Sequence, residues 1–159
     1  MNIDKVQRQL EIDEGVKFEI YEDHLGYPTF GVGHLVLKSD PEYGMPIGSL
    51  VDSDRVNSAF KHDLAVAISE CSILYTMWES YPEEVQEVLV NMLFNLGRPR
   101  LSKFKNFKVA LDSRCWTLAA TEGRDSLWYR QVGNRAERLM KRLENVAKDS
   151  SNTTDTASS

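Results

Sequence analysis

The first residues of the chain repeat an apolar side chain every three to four positions. Ile3, Val6 and Leu10 form one stripe, and Asp13 continues the same spacing with a polar residue. This period is that of an amphipathic α-helix. Gly15 follows at the position where glycine commonly ends a helix. We therefore expect a first helix that ends just before Gly15.

Beyond Gly15 the pattern changes to a period of two. Apolar and polar side chains alternate over residues 16–21, which predicts a half-buried β-strand. The apolar side chains of this alternation, expected to face the interior, are Val16, Phe18 and Ile20. A turn is expected at residues 23–28, which contain glycine and proline, and residues 29–35 predict a second strand. The segment is interpreted as a β-hairpin followed by a loop.

From residue 54 the apolar spacing is again helical, almost to the end of the chain. Helices are expected at 54–72, from Pro82 to Leu96, and at 103–112, 116–122 and 134–147. The last twelve residues, 148–159, contain no large apolar side chain. Such a segment does not repay the entropy of ordering, so a disordered tail is expected there.

These elements predict an α+β fold that is mostly helical. A small β-containing lobe is expected at about residues 15–53, and a larger helical lobe from residues 1–14 together with 54–147. The long helix at 54–72 would join them, so that residues 1–147 form a single domain in two lobes. Two lobes joined in this way leave a cleft, and clefts are the usual place for a ligand.

Charge is distributed unevenly along the chain, whose net charge is −5. Residues 1–97 carry 6 basic and 17 acidic side chains, whereas residues 98–142 carry 12 basic and 4 acidic ones. A basic block in an acidic protein predicts an electropositive surface that can meet an anionic polymer. Nucleic acid and the bacterial wall are both candidates, and a merely solvated helical surface is the alternative.

The composition is typical of a globular protein, with 42% hydrophobic and 27% charged residues. No apolar stretch approaches the roughly 18 residues that span a membrane. The N-terminus lacks the apolar block of a signal peptide, so we expect synthesis in the cytosol. Cys71 and Cys115 are expected to be free, partly buried thiols, with a disulfide or a reactive thiol as the alternatives.

Three polar residues around the predicted hairpin suggest acid–base chemistry: Glu14, Asp23 and Thr29. Glu14 falls at the C-terminal end of the first helix, where the helix dipole and partial burial favour a protonated carboxyl. Asp23 falls in a polar turn that favours an ionised carboxyl, and the Thr29 hydroxyl can hold a water molecule. Two carboxyls in opposed environments are what glycosidic cleavage requires. Singly, each has an ordinary explanation: a solvated glutamate, a turn-capping aspartate and a strand threonine.

The residues around these positions resemble a known family. The run IDEGVKFEIYED at residues 12–23, followed by GYPTFGVGH at residues 26–34, resembles the phage-type lysozymes, the endolysins of T-even phages. The family motif is Glu, then Asp, then Thr, closed by Gly-x-Gly-His, and all four parts are present at the family spacing. Further matches are NMLFNLG at 91–97, WY at 128–129 and NRA at 134–136. The resemblance runs from about Asn2 to Ala147.

The resemblance implies a muramidase. Such an enzyme hydrolyses the β-1,4 bond between N-acetylmuramic acid and N-acetylglucosamine in peptidoglycan, inverts the anomeric centre and uses no metal or cofactor. By the same resemblance, Glu14 is the general acid, and Asp23 and Thr29 position the attacking water. We expect a monomer that causes bacterial lysis by cutting peptidoglycan glycan strands after release from the cytosol, with neither nucleic acid nor a membrane as partner.

Further residues are expected to contact the sugar. Leu35 and Phe94 match positions that line the family's sugar cleft. Gly31 and Gly33 would let the backbone approach the glycan closely. A twist or bulge of the hairpin is the alternative explanation of the two glycines.

Two ion pairs are expected near this site. Arg135 would pair with Glu14 across the cleft. His34 would pair with Asp63 on the long helix, where it is a structural charge rather than a catalytic group. Metal binding by the three histidines is not expected, because their spacing matches no common metal site.

Three other functions are compatible with parts of the pattern. A lytic transglycosylase also uses one glutamate, but the presence of Asp23 and Thr29 argues against it, and analysis of the product ends would separate the two. An inactive wall-binding module would fail in substrate-depletion kinetics. A helical nucleic-acid-binding protein is suggested by the basic block alone, and salt-dependent retention on DNA would test it.

Overall fold

The computed structural model describes the backbone of residues 1–158 and the side chains of residues 1–149. The strands in this part of the chain are Lys17–Glu22 (β1), Pro28–Gly31 (β2) and His34–Leu35 (β3). The helices are Ile3–Glu14 (α1), Ser53–Leu74 (α2), Glu83–Leu96 (α3), Arg98–Leu101 (α4), Lys105–Asp112 (α5), Trp116–Arg124 (α6), Leu127–Val132 (α7) and Asn134–Ser158 (α8), with a 3-10 turn at Trp78–Ser80. A mostly helical α+β fold with a small N-terminal sheet confirms the predicted fold class.

The chain divides into two compact units. The N-terminal unit is Asn2–Val66, and the C-terminal unit is Ala67–Ser159 together with Met1. The N-terminal unit contains α1 as well as the sheet, whereas the sequence grouped residues 1–14 with the C-terminal helices. A local reason is that Gln7 on α1 donates a hydrogen bond of 3.1 Å to Asn57 on the first half of α2. The division falls within α2, which contributes residues to both units.

Helix α1 ends just before Gly15, as its sequence predicts. The side chain of Asn2 caps its first turn by accepting a hydrogen bond from the backbone N–H of Lys5 at 3.1 Å. Val6 and Leu10 are its buried residues. Gly15 ends the helix in a positive-φ conformation that favours glycine, and its N–H bonds the carbonyl of Glu11. Glu14 is therefore the last helical residue.

The three strands form an antiparallel sheet in the order β1-β2-β3. Ile20 and Phe30 project from the sheet into a buried cluster with residues that follow it in the chain. This cluster consists of Ile20, Phe30, Val51, Val56 and Ala59. The other edge of β1 is covered by residues 48–51, because Ile20 N–H bonds the carbonyl of Ser49 at 2.9 Å. The cluster fixes the sheet against the start of α2.

Two details of the predicted hairpin are wrong. Phe18 was expected to face the interior but is 51% exposed. The register of β1 against β2 shifts between Lys17 and Tyr21, and such an irregularity breaks the simple alternation of faces. The predicted second strand at 29–35 is two strands, because the chain turns at Gly33 with φ 69° between β2 and β3.

The C-terminal unit is built from the later helices. α3 begins one residue after Pro82 and ends at Leu96, as predicted, and its apolar stripe is buried. The buried stripe consists of Val85, Val88, Leu89, Met92, Leu93 and Leu96. The short helices α4 and α7 were not predicted, because helices of four and six residues are too short to show a period. Cys71 and Cys115 are both free thiols, the first buried and the second exposed.

Helix α8 begins at Asn134, as the sequence predicts. Its apolar face buries Ala136, Leu139, Met140, Leu143 and Val146. The traced helix includes the backbone of residues 148–158, where a disordered tail was expected. Most of that segment lies outside the residues whose side chains are described, and the tail stays a prediction.

Candidate active site

Glu14 is the last residue of α1, three residues before β1 begins. Its side chain is half-buried and faces the turn between β2 and β3. A β-carbon placed on Gly33 would lie 3.8 Å from Glu14 Oε2. The carboxylate of the last helical residue is therefore held beside the Gly-x-Gly-His segment, although the two are 19 residues apart in the chain.

Asp23 immediately follows β1 and caps a tight turn. Its Oδ1 accepts hydrogen bonds from the N–H groups of Leu25 and Tyr27, both at 2.9 Å. Its own N–H bonds the carbonyl of Tyr27 at 2.9 Å. The turn-capping role that the sequence offered as an alternative is thus present. It employs one carboxylate oxygen, and within the described residues Oδ2 has no hydrogen-bond partner.

Thr29 is buried on β2 and is connected to Asp23 through one peptide group. Its hydroxyl donates a hydrogen bond of 3.0 Å to the carbonyl of Tyr27, the same carbonyl that accepts from Asp23 N–H. Because the hydroxyl proton is used on this carbonyl, the oxygen retains lone pairs that can accept from a water molecule. The turn therefore fixes Asp23 and Thr29 relative to one another.

Tyr21 is a fourth residue of this group, and the sequence did not single it out. It is the ladder partner of Thr29, and Lys17 Nζ lies 4.3 Å from the centre of its ring. Burial, and then the negative charges of Glu14 and Asp23, raise the pKa of Tyr21. Both carboxylates therefore act on one phenol. Its position two residues before Asp23 in the chain was the available signal.

The residues expected to contact sugar are divided between the two units. Gly33 is exposed and Leu35 is 45% exposed on β3, both in the N-terminal unit. Phe94 is half-buried on α3 in the C-terminal unit. Gly31 has a structural requirement of its own, because an added β-carbon would lie 3.1 Å from Val56 Cγ1. The sugar contacts of these residues stay predictions.

His34 lies against Asp63 and has a second carboxylate partner that the sequence did not suggest. Its Nδ1 is 2.7 Å from Asp63 Oδ2, and its Nε2 is 2.8 Å from Asp40 Oδ2. Burial lowers the pKa of His34, but the hydrogen bonds and charges of Asp63 and Asp40 outweigh it, so the pKa is raised overall. Both ring nitrogens are occupied, which fits a structural charge.

Arg55 extends this cluster from α2. Its guanidinium bonds both carboxylate oxygens of Glu42 at 2.9 to 3.1 Å and Asp40 Oδ1 at 3.2 Å. It also lies over the Phe30 ring, 5.4 Å from its centre. The loop after β3 is thereby tied to α2 and to the sheet. Spacing alone could not have found this cluster, because Asp40 and Glu42 lie in an irregular loop and Arg55 lies beyond it on α2.

Arg135 lies at the start of α8, in the C-terminal unit. Its Nε donates to Asn91 Oδ1 at 2.9 Å, and a terminal nitrogen donates to the carbonyl of Asn91 at 3.3 Å. These bonds join α8 to α3. The expected pairing of Arg135 with Glu14 stays a prediction.

Within residues 1–149, no group of three or more His, Cys, Asp or Glu side chains is arranged to hold a metal ion. No described helix is both long enough and apolar enough to cross a membrane. The reactive groups at the candidate site are two carboxyls, a threonine hydroxyl and a phenol.

Sequence comparisons relate the chain to known proteins. The family model described as phage lysozyme matches residues 11–145. The chain is 30% identical over 148 residues to the pre-baseplate central spike protein Gp5 of Enterobacteria phage T4, an alignment that covers 82% of this chain and 26% of that protein. It is 29% and 27% identical to the probable T4-type lysozymes 2 and 1 of Dictyostelium discoideum, with 89% of this chain and 95% of each relative covered.

Proposed function

The chain belongs to the phage lysozyme family, and from that premise we propose that it is a peptidoglycan hydrolase. Its specific reaction is that of a muramidase, which cleaves the β-1,4 bond between N-acetylmuramic acid and N-acetylglucosamine. The observation that carries the proposal is the grouping of Glu14, Asp23 and Thr29 in one unit, with Asp23 and Thr29 joined through the peptide group of Tyr27. The names of the Dictyostelium relatives support the same class of enzyme.

Glu14 is the general acid of the proposed reaction. Its carboxyl protonates the glycosidic oxygen as the bond from that oxygen to the anomeric carbon breaks, and the leaving sugar departs with a hydroxyl group. The carboxyl of Glu14 is half-buried at the C-terminal end of α1. The open backbone of Gly33 beside Oε2 leaves room for a sugar ring close to the acid.

Asp23 and Thr29 direct the attacking water. The Thr29 oxygen accepts one proton of the water in a hydrogen bond, and Asp23 Oδ2 receives the other proton as the water oxygen bonds the anomeric carbon. Attack from the face opposite the leaving group inverts that carbon, and room for the water requires the two carboxyls to lie roughly 6.5–9.5 Å apart. Leu35, Phe94 and Gly33 contact the glycan in this proposal.

The proposed place of action is the bacterial wall. The protein works there as a monomer on glycan strands and causes lysis. A lytic transglycosylase is the second candidate within the same class. The ordered turn at Asp23 argues against a lytic transglycosylase, because transglycosylation adds no water and needs no group to direct one.

Replacing Asp23 with asparagine tests the base while keeping the turn. Asparagine Oδ1 can still accept from Leu25 and Tyr27, but the amide cannot take the proton of the water. We expect unchanged thermal unfolding and a fall in glycan hydrolysis of about 10²-fold or more. The matched control is Asp52→Asn, because Asp52 Oδ1 also caps backbone, at Arg55 N–H, in the same unit. Equal activity of the two variants would remove Asp23 from the mechanism.

The product ends distinguish hydrolysis from transglycosylation. Purified glycan strands digested by the parent protein should give ends that contain the added water, first in the inverted anomeric form. Mass spectrometry and early-time NMR of the digest measure these two properties. An internal anhydro ring at the product ends would replace the muramidase proposal by the transglycosylase, and a first product with retained configuration would contradict the direct attack of water.

A further inference from the structure

A segment of the C-terminal unit presents positive charge without any compensating acid. Residues 88–111 contain five basic side chains and no acidic one. The five residues, called here the cationic surface, are Arg98, Arg100, Lys103, Lys105 and Lys108. The first four are exposed, and Lys108 is half-buried. They follow one another on α4, on the turn after it and on the first two turns of α5.

The fold holds this segment in place by its apolar residues. Leu101 is 1% exposed and Phe107 is 2% exposed, so both anchor the backbone in the core. Phe104 lies between them and makes edge-to-face contacts with Phe107 and Trp128, with ring centres 6.0 and 6.1 Å apart. With the apolar side chains turned inward, the basic ones are left on the outside of an ordered backbone.

Other arginines of the same basic block are used within the unit. Arg124 is paired with Glu137 and Glu144, and Arg142 with Glu84. By contrast, the ion pairs that the structure gives among residues 1–149 include none with the cationic surface. The positive charge of the cationic surface is therefore available to an external partner.

We propose that the cationic surface binds carboxylates on the peptides of the bacterial wall and so holds the enzyme on its substrate. The inference rests on the proposed function, which supplies the polymer. Peptidoglycan carries free carboxylates along its peptides, and lysine and arginine side chains form charge-assisted hydrogen bonds with carboxylates. A wall with this charge repels a protein of net charge −5. Beyond about 10 Å this repulsion is screened at 0.1 M salt, so local charge decides the contact.

Binding to isolated Gram-negative sacculi tests the proposal without cleavage. All variants carry Glu14→Gln to prevent digestion, and the bound fraction is measured by sedimentation at 4 °C. The surface variant is Arg100→Gln, Lys103→Gln and Lys105→Gln. The matched control removes the same number of charges from exposed residues of the N-terminal unit, with Arg8→Gln, Lys38→Gln and Lys61→Gln.

The surface variant should bind sacculi roughly tenfold more weakly than the control, since each exposed ion pair is worth about a factor of two. The difference should vanish in about 0.5 M salt, where the screening length is a few ångströms. Sacculi whose carboxylates have been amidated should bind the parent as weakly as native sacculi bind the surface variant.

Equal binding by the surface and control variants would overturn the inference, because net charge alone would then explain retention. Loss of duplex-DNA binding without loss of sacculus binding would assign the surface to nucleic acid instead and would equally overturn it. Release of soluble glycan by the Glu14→Gln background would indicate a failure of the proposed catalytic role, separately from either result on binding.

Discussion

Replacing His34 with asparagine removes the centre of a buried charge cluster. His34 is 5% exposed and makes hydrogen bonds of 2.7 and 2.8 Å to Asp63 and Asp40. Breaking a buried ion pair by removing one partner costs about 3 to 5 kcal/mol. Both aspartates remain partly exposed to water, and Asp40 keeps its bond from Arg55, so we expect the lower end, about 3 kcal/mol.

The stabilisation that His34 provides should decrease as the pH rises. The pKa of His34 is raised in the folded state, so its contribution is fully present below its ordinary pKa of about 6.5 and is lost as the pH rises through the raised value. Burial raises the pKa of Asp40, but the bond from Leu37 and the charges of His34 and Arg55 lower it overall. Its contribution is present above its usual pKa and is lost as the pH falls through the lowered one. The cluster is therefore most stabilising at about pH 5 to 6.

Urea unfolding of the parent and His34→Asn at pH 5.5 and pH 9 measures this dependence. We expect a loss in the free energy of unfolding of about 3 kcal/mol at pH 5.5. The loss should be smaller at pH 9, about 1 kcal/mol, because less of the ring is charged there and a neutral ring contributes only its packing and one donated hydrogen bond. His62→Asn is the matched control, because His62 is an exposed histidine on α2, and its loss should stay within about 0.5 kcal/mol. Equal losses for His34→Asn at the two pH values would refute the charge argument.

Two glycines give further predictions. Gly33→Ala places an alanine in a left-handed conformation, φ 69°, beside Glu14. It should lower the free energy of unfolding by about 1 kcal/mol and also reduce the lytic activity. Gly44→Ala, with φ 82° and open space around it, should lower the free energy of unfolding alone. If both variants lyse cells like the parent, the backbone at Gly33 does not serve the site. Gly123→Ala places a methyl group 2.3 Å from Met140 Sδ and should cost about 1 to 3 kcal/mol, measured by urea unfolding, with partial recovery in the double variant with Met140→Ala. Full stability of the single variant would show that Met140 moves freely.

Local sequence patterns were sufficient to predict the longer helices and the position of Glu14. The period of α1 and its Gly15 end place Glu14 on the last helical turn with no need of tertiary information. The span of α3 could be predicted in the same way, because its apolar stripe ends at a glycine. The resemblance to a family then supplied roles that spacing could not give.

What the sequence could not give depends on contacts between distant segments. Phe18 is exposed because the register of β1 against β2 shifts after Lys17, and no local sequence pattern predicts such a shift. The second partner of His34 is Asp40, which the loop after β3 brings back to the sheet through Arg55. Such a path is set by packing and by charge pairing together, so it becomes visible only in the folded chain.

The central claim is that Glu14 is the acid of a wall-cutting enzyme. The most direct measurement is the clearing of chloroform-permeabilised Gram-negative cells by the parent protein and by Glu14→Gln, with both shown to be folded by thermal unfolding. We predict that the parent clears the suspension and that the variant is slower by about 10²-fold or more. Equal clearing would contradict the role of Glu14, and the absence of clearing by a folded parent would contradict the proposed hydrolase itself.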